Sequence, residues 1–482
     1  MTAMLLRSLA GGIEGAELVG EADGVEVLDV VLDSRSVTAG ALFCCVPGAR
    51  SDGHDHAPAA VADGAVALLV ERPLDLPVPQ LLVTDSRAAM APLAAAFFRH
   101  PSQALSVVGV TGTNGKTTTT HLLRNIVEVA GRRAEVLGTL SGARTTPEAP
   151  DLQRTLAGWR DDGVEVVAME VSSHALDLHR VDGTRFAVAV FTNLSRDHLD
   201  FHGSMESYFE AKARLFEPDL SERAVVNLDS PYGRLLVDTA AIPTDTFSLA
   251  EAEDLVLSAS GSTFTWRGHR VRLALGGSFN VANALAAAHA AAALGIDDAT
   301  IADGLSRGLV VPGRFELVEA GQPFPVVVDY AHTPDGLDQL LAAADDLVSD
   351  GPEGRRGRVV VVFGCGGDRD ATKRPAMGEV AATRADLVVV TADNSRHEDT
   401  AAIIEAVKQG FERVHPRRAA ELVIEPDRRV AIGLALAAGR PGDVVLVAGK
   451  GHETTQDIGG VVTPFDDRLV VAEEWARLGG AA

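Results

Sequence analysis

The stretch Ser106-Val-Val-Gly-Val110 runs directly into Thr111-Gly-Thr-Asn-Gly-Lys-Thr117, and Thr118–Ala130 follows with helical periodicity. A short apolar run reads as a buried strand, and the glycines that follow allow a tight turn. Backbone N–H groups in such a turn face an anion, and the helix start adds positive potential. Lys116 is placed to reach the outer phosphates of a nucleotide, and the Thr117 hydroxyl to ligate Mg²⁺. The strict phosphate-loop pattern has glycine at the position of Val110, so this is a variant form. The bland alternative is a glycine turn carrying an exposed lysine; strand, loop, Lys-Thr and helix in register argue against it.

Outward from the loop, further apolar β-rich runs occur at 164–171, 186–192 and 224–228, separated by helical stretches. That alternation predicts a largely parallel sheet covered on both faces. The Ala-rich stretch 281–294 reads as the helix closing this unit. Before it, residues 1–100 alternate β-rich runs (26–32, 66–71, 80–84) with helical ones (57–63, 88–99). His100-Pro101-Ser102 reads as a linker, because proline biases its predecessor away from helix. A second break falls at Val311-Pro312-Gly313. Beyond it, strand candidates at 326–328, 359–363, 387–391 and 444–447 predict a Rossmann-like unit. The Gly- and Arg-rich segment 349–358 reads as an exposed loop. The expectation is α/β throughout, with three domains at 1–100, 101–312 and 313–482.

The 482 residues exceed one ordinary core, and 46% hydrophobic with 23% charged side chains describes a globular chain. Its net charge of −24, from 43 basic and 67 acidic residues, argues against non-specific nucleic-acid or anionic-membrane binding. Cys44, Cys45 and Cys365 form no Cys-x-x-Cys pair and read as reduced buried thiols. The N-terminus lacks the pattern of a signal peptide, and no apolar run approaches the ~20 residues of a membrane span. A cytoplasmic protein is expected.

Two more strand ends carry polar clusters. Glu170, in Met169-Glu-Val-Ser-Ser-His174, sits where ligands gather in open α/β sheets, and a carboxylate there suits Mg²⁺. Alone it would be a solvated or salt-bridged residue; its place downstream of the phosphate loop favours metal. Asp197 and His198, in Thr192-Asn-Leu-Ser-Arg-Asp-His-Leu-Asp200, have the chemistry to bind a second cation or orient substrate. A lone histidine is more often a packing residue. Lys212, in Tyr208-Phe-Glu-Ala-Lys-Ala-Arg-Leu-Phe216, lies on an apparent amphipathic helix, and by that physics it is solvated.

Taken together with Asp33-Ser-Arg35, Phe279-Asn-Val-Ala-Asn283, Gly313-Arg-Phe-Glu316, Asp329-Tyr-Ala-His-Thr-Pro334, Gly364-Cys-Gly-Gly-Asp-Arg369 and Gly449-Lys-Gly-His-Glu453, these motifs resemble the Mur ligase family over essentially the whole chain. The likeness is greatest to its MurE group, which adds the third residue of the peptidoglycan stem peptide. The resemblance implies that ATP phosphorylates a substrate carboxylate and that an amine attacks the acyl phosphate. It implies a metal set of Thr117, Glu170, His198 and Lys212, the last as a CO₂-derived carbamate. With Lys116, Glu170, His198 and Lys212 make up the catalytic group. It further implies ATP contacts from Gly112, Thr113, Asn114, Gly115, Lys116, Thr117, Thr118, Asn283, Arg314 and Asp329, with His332 near the base.

The same resemblance puts the UDP-sugar against Leu32, Ser34 and residues 48–51, and its peptide against Thr145, Thr146, Ser172 and Arg180. Leu178 stands where relatives often have glutamine, and the 138–147 loop is short. Asp393-Asn-Ser-Arg396 is similar to the Asp-Asn-Pro-Arg motif of meso-diaminopimelate enzymes. Arg396, with Arg369, Asp393, Asn394, Ser395, Gly449 and Glu453, would then bind that amino acid, a guanidinium pairing with its distal carboxylate. Ser395 in place of proline forgoes a fixed φ and is expected to loosen the loop. The alternative is that Arg396 pairs with Glu398 or Asp399. L-Lysine or another diamino acid, a folylpolyglutamate-synthetase-like reaction, and a non-catalytic nucleotide-sugar sensor are the rival functions. A Mur-type amidase subunit is disfavoured, because its zinc-ribbon cysteines are missing. The partners implied are a UDP-N-acetylmuramoyl dipeptide and a diamino acid, with the chain a monomer.

Overall fold

The computed structural model describes residues 3–48, 51–142, 144–350 and 356–479. Three separate main sheets organise the chain into the three-domain α/β architecture expected. The central one has six parallel strands in the order Thr244–Phe247, Ala224–Asn227, Val188–Phe191, Ser106–Thr111, Val166–Glu170, Ala134–Leu137. The loop-bearing strand is therefore flanked by the strands ending in Glu170 and in Phe191. Parallel pairing puts all three carboxyl ends on one edge, which is where the three polar clusters converge. Valine-rich strands suit a sheet buried on both faces, and Val107, Val108, Val110, Val166 and Val167 are fully buried.

The N-terminal sheet has the order Glu17–Val19, Gln80–Leu82, Ala67–Val70, Ala41–Cys44, Asp29–Val31, parallel except for the antiparallel first pair. Cys44, Cys45 and Cys365 are free and buried, as read from the sequence. The C-terminal sheet runs Glu316–Leu317, Val326–Asp329, Val444–Ala448, Val359–Phe363, Leu387–Val390, Glu421–Ile424, with only its first strand antiparallel. Its carboxyl ends carry Asp329, Gly364, Asp393 and Gly449.

One element departs from the sequence reading. Glu253–Ser258, Gly261–Trp266 and His269–Leu273 form a three-stranded antiparallel sheet ahead of the helix Ser278–Ala293. Alternating burial along Gly261–Trp266 and a turn at Arg267-Gly268 were signals for a hairpin. Among the described residues no helix is long and apolar enough to cross a membrane. Residues 49, 50, 143 and 351–355, within the loops singled out above, lie outside the described residues.

Candidate active site

The phosphate loop is held open by its neighbour. Asn193 accepts from Thr113 N through its carbonyl (2.9 Å) and from Asn114 N through Oδ1 (2.9 Å). Thr192 Oγ1 donates to the Asn114 carbonyl at 2.6 Å. Gly112 (φ 147°) and Gly115 (φ 90°) take backbone conformations that favour glycine, and a Cβ at Gly115 would lie 2.2 Å from Asn283 Oδ1. Thr192 and Asn193 thus shape the loop, a role no local pattern announces. Lys116 Nζ donates to the carbonyls of Gly112 (2.8 Å) and Thr113 (3.0 Å), and burial lowers the pKa of its ammonium.

Glu170 is 1% exposed, and its carboxylate accepts from Thr139 N (2.8 Å) and Thr139 Oγ1 (3.1 Å). His198 adopts a left-handed backbone (φ 54°) at the start of Leu199–His202. Burial keeps its imidazole neutral, well below its ordinary pKa, despite Asp197 Oδ2 at 3.4 Å. Glu170, Lys116, Thr117 and His198 all line one cavity of about 170 Å³ over the loop.

Lys212 corrects the helix-surface expectation. It is 1% exposed, donates to the Gly112 carbonyl at 3.0 Å, and stands 4.8 Å from the Tyr208 ring centroid. Burial, then the charge of Lys116, pushes its pKa well below that of a free lysine. Only the neutral amine reacts with CO₂, so this environment suits carbamate formation. A hydroxyl, a carboxylate and a neutral imidazole around the loop are compatible with a hard cation. Among the described residues no three His, Cys, Asp or Glu side chains gather tightly enough to hold a metal unaided.

The third domain closes over this cavity. Arg314 Nη2 donates to Thr117 Oγ1 (3.1 Å) while its guanidinium lies 4.5 Å from the Tyr330 ring centroid. Asn114 Nδ2 donates to Asp335 Oδ2 at 3.1 Å. Thr118, Asn283, Arg314 and Asp329 line a small space of about 50 Å³ beside the loop. Next to it, a pocket of about 380 Å³ between Phe279, Leu249, Asn227 and Gln339 has the apolar walls and polar rim of a nucleoside site. His332 lines neither of these; its Nε2 faces Asp197 Oδ2 at 4.0 Å, and its Nδ1 bonds the Tyr330 carbonyl.

A larger cavity of about 680 Å³ continues from the phosphate space. One wall carries Thr145, Thr146, Ser172 and Arg180 from the central domain, and the other Arg369, Asp393, Asn394, Arg396, Gly449 and Glu453 from the third. Two groups far apart in sequence, singled out separately, thus face one space. Arg396 (φ 51°) forms no ion pair with Glu398 or Asp399; Nη1 donates to the Gly367 carbonyl at 2.5 Å, and Glu398 pairs with Arg374. Ser395 does not leave a slack loop: it is buried, accepts from Thr400 Oγ1 at 2.9 Å, and its carbonyl accepts from Glu398 N. Leu32 and Ser34 flank the end of Asp29–Val31 in the first domain, outside these cavities. Arg154 ties that strand to the central domain through Asp29 Oδ1 (2.8 Å) and the Val30 carbonyl (2.9 Å).

Comparison with known proteins fits this geometry. The Mur ligase family catalytic domain matches residues 27–98, the Mur ligase middle domain 110–291, and the Mur ligase glutamate ligase domain 313–451. A UDP-N-acetylmuramoyl-L-alanyl-D-glutamate–2,6-diaminopimelate ligase of Streptomyces avermitilis is 44% identical, covering 98% of this chain and 96% of the relative. The chain belongs to the Mur ligase family. The Streptomyces coelicolor ligase of the same name is 45% identical over 94% of both chains. A solved structure of a ligase so named superposes with a TM-score of 0.68 at 33% identity, covering both chains fully. MurF of Thermotoga maritima, solved in complex with ADP, shares the fold (TM-score 0.61, 23% identity, 93% of this chain and 96% of that one). This Mur ligase therefore keeps the family's three sheets and the converging strand ends between them.

Proposed function

We propose that this enzyme joins meso-diaminopimelate to UDP-N-acetylmuramoyl-L-alanyl-D-glutamate at the expense of ATP, through an acyl phosphate. The observation that carries this reading is the 680 Å³ cavity lined by Arg369 and Arg396, neither of which forms an ion pair among the described residues. A guanidinium free of an ion pair, in a cavity also lined by Asp393 and Glu453, suits an amino acid bearing a second carboxylate and a second ammonium. A substrate lacking that carboxylate leaves the arginines unsatisfied, which penalises it. The names of the relatives point the same way.

In this reading residues 1–100 hold the UDP-sugar through Leu32 and Ser34, 101–312 run the chemistry, and 313–482 present the amino acid. Thr145, Thr146, Ser172 and Arg180 receive the peptide. ATP lies along the loop Gly112–Thr118, with Asn283, Arg314 and Asp329 closing over it. His332 belongs to the junction between phosphate and amino acid, rather than to the base. Thr117, Glu170, His198 and carbamylated Lys212 would hold Mg²⁺, which would neutralise charge on the transferring phosphoryl group. Lys116 shares that task from the loop, and the rest of the catalysis is positioning and electrostatics. The reaction takes place in the cytoplasm.

The test is phosphate release and tripeptide formation with meso-diaminopimelate, L-lysine and L-ornithine in parallel. Turnover should require both co-substrates and favour meso-diaminopimelate. A preference for lysine would overturn the assignment of Arg396, and phosphate release without the peptide nucleotide would overturn the ligase reading.

A further inference from the structure

Lys450 follows the strand Val444–Ala448 and lies behind the 680 Å³ cavity, not in its lining. Gly449 (φ 113°) turns the chain there so closely that a Cβ would stand 2.6 Å from Asp393 Oδ2. The Lys450 side chain is fully buried. Its ammonium meets three acceptors: Asn394 Oδ1 at 3.2 Å, Glu453 Oε2 at 3.0 Å and the Thr455 carbonyl at 2.6 Å. An ammonium is tolerated in a protein interior only when it is paired and bonded in this way. A hydrocarbon side chain would fill the space without that cost, so the charge itself has a task.

Two of the three acceptors belong to residues that line the cavity. Asn394 Oδ1 accepts from Lys450 and also from Asp457 N at 3.0 Å, while Asn394 Nδ2 donates to Glu453 Oε2 at 2.7 Å. Turning that amide over would set its NH₂ against an ammonium and an N–H, and its oxygen against a carboxylate. The amide therefore has one orientation, and Lys450 helps to impose it. Glu453 Oε2 receives both the Lys450 ammonium and the Asn394 amide. The other oxygen, Oε1, forms no hydrogen bond or ion pair among the described residues, on a side chain that is 30% exposed. Tying Oε2 from behind leaves Oε1 free for a ligand in the cavity.

We propose that Lys450 is a positioning residue for amino-acid selection: through Asn394 and Glu453 Oε2 it fixes the carboxylate that receives the second ammonium of the incoming amino acid. This rests on the ligase reading above, and Lys450 itself touches no substrate. A carboxylate that turns freely loses entropy when it binds an ammonium; Lys450 removes that loss before the substrate arrives. Arg396 stands apart, bonded to the Gly367 carbonyl. The second carboxylate and the second ammonium are thus met by groups with separate supports.

The experiment is steady-state ligation by the full-length enzyme with meso-diaminopimelate and with 2-aminopimelate, which keeps both carboxylates and lacks the second ammonium. Wild type, Lys450→Met, Glu453→Gln, the double variant and Arg396→Met are compared. Lys450→Met should raise KM for meso-diaminopimelate about ten-fold, the scale of one weakened charge-assisted contact. Its KM values for 2-aminopimelate and ATP should stay at the wild-type level. The double variant should be no worse than Glu453→Gln, because both changes remove one interaction. Arg396→Met should raise KM for both amino acids. Equal losses with the two amino acids in Lys450→Met would make it a support of the whole wall and overturn the proposal. So would losses that add in the double variant, or a wild type that uses both amino acids equally well. If Lys450→Met does not fold, Lys450→Gln provides the same comparison. Wild type that ligates neither amino acid would instead sink the ligase reading, before any variant is compared.

Discussion

The phosphate loop and the Asp393–Arg396 loop both follow a parallel strand, yet they are built in opposite ways. The first is a short glycine turn whose ligand-facing groups are largely its own backbone, adjusted by the adjacent strand end at Thr192–Asn193. The second is held from a distance. Gln456 Nε2 donates to the Asp393 carbonyl (3.2 Å), Asp457 N to Asn394 Oδ1 (3.0 Å), and Arg396 N to the Asp457 carbonyl (3.0 Å). These braces come from the hairpin Thr455–Ile458 and Val461–Pro464. Beneath, the fully buried Arg428 grips Asp467 and donates to the carbonyls of Ala392 and Ala448, the residues leading into both amino-acid loops. The phosphate turn is thus local in the chain, while the loop carrying Arg396 is held by tertiary contacts.

The strongest way to break that contrast is at Lys212, where the local site borrows a distant residue. Lys212→Ala should lower ligation on the order of a hundred-fold or more, as loss of a charge-stabilising group does. Added short carboxylic acids should restore part of it by standing in for the carbamate. Normal turnover in the untreated variant, measured by phosphate release, would remove Lys212 from the site.

Next in size is the buried pair under the selection loops. Arg428→Met leaves Asp467 buried without its partner, which should cost about 3–5 kcal/mol in stability. Chemical denaturation measures this. Among molecules that remain folded, KM for the amino acid should rise more than KM for ATP. An equal rise in both would mean the pair supports the whole domain and not these loops in particular.

The smallest effect concerns pH. Burial holds His174, His332 and His452 at about 4, against about 6.5 when unfolded. Below pH 6.5 the unfolded chain takes up protons that the folded site refuses, so stability should fall from pH 6.5 toward 4. Above 6.5 these groups contribute no slope. Denaturation midpoints across that range check it, and His332→Asn should flatten part of the fall. A slope unchanged in that variant would place His332 outside the buried junction.

Much of the fold was legible because it rests on local signals. Valine-rich runs, proline breaks and glycine turns led to the strands at 106–111, 166–170, 188–191, 326–329 and 444–448. The sheet at 253–273 escaped because its polar alternation leaves one face half-open to solvent and resembles a loop. Helix periodicity alone put Lys212 on a solvated face, because it shows which residues share a face but not what covers it; only the resemblance pointed Lys212 to the site, where it is buried. The resemblance put His332 near the base; in the structure its Nε2 stands 4.0 Å from Asp197 Oδ2.

The sequence by itself determined the phosphate loop, its strand and helix, and which strand ends carry acid, imidazole and guanidinium groups. Those depend on contacts a few residues apart. Only the tertiary structure decided that Thr145, Arg180, Arg369 and Arg396 face one cavity, and that Arg196 and Thr372 meet across an interface. Such pairs are brought together by sheet order and domain packing, which no local pattern encodes.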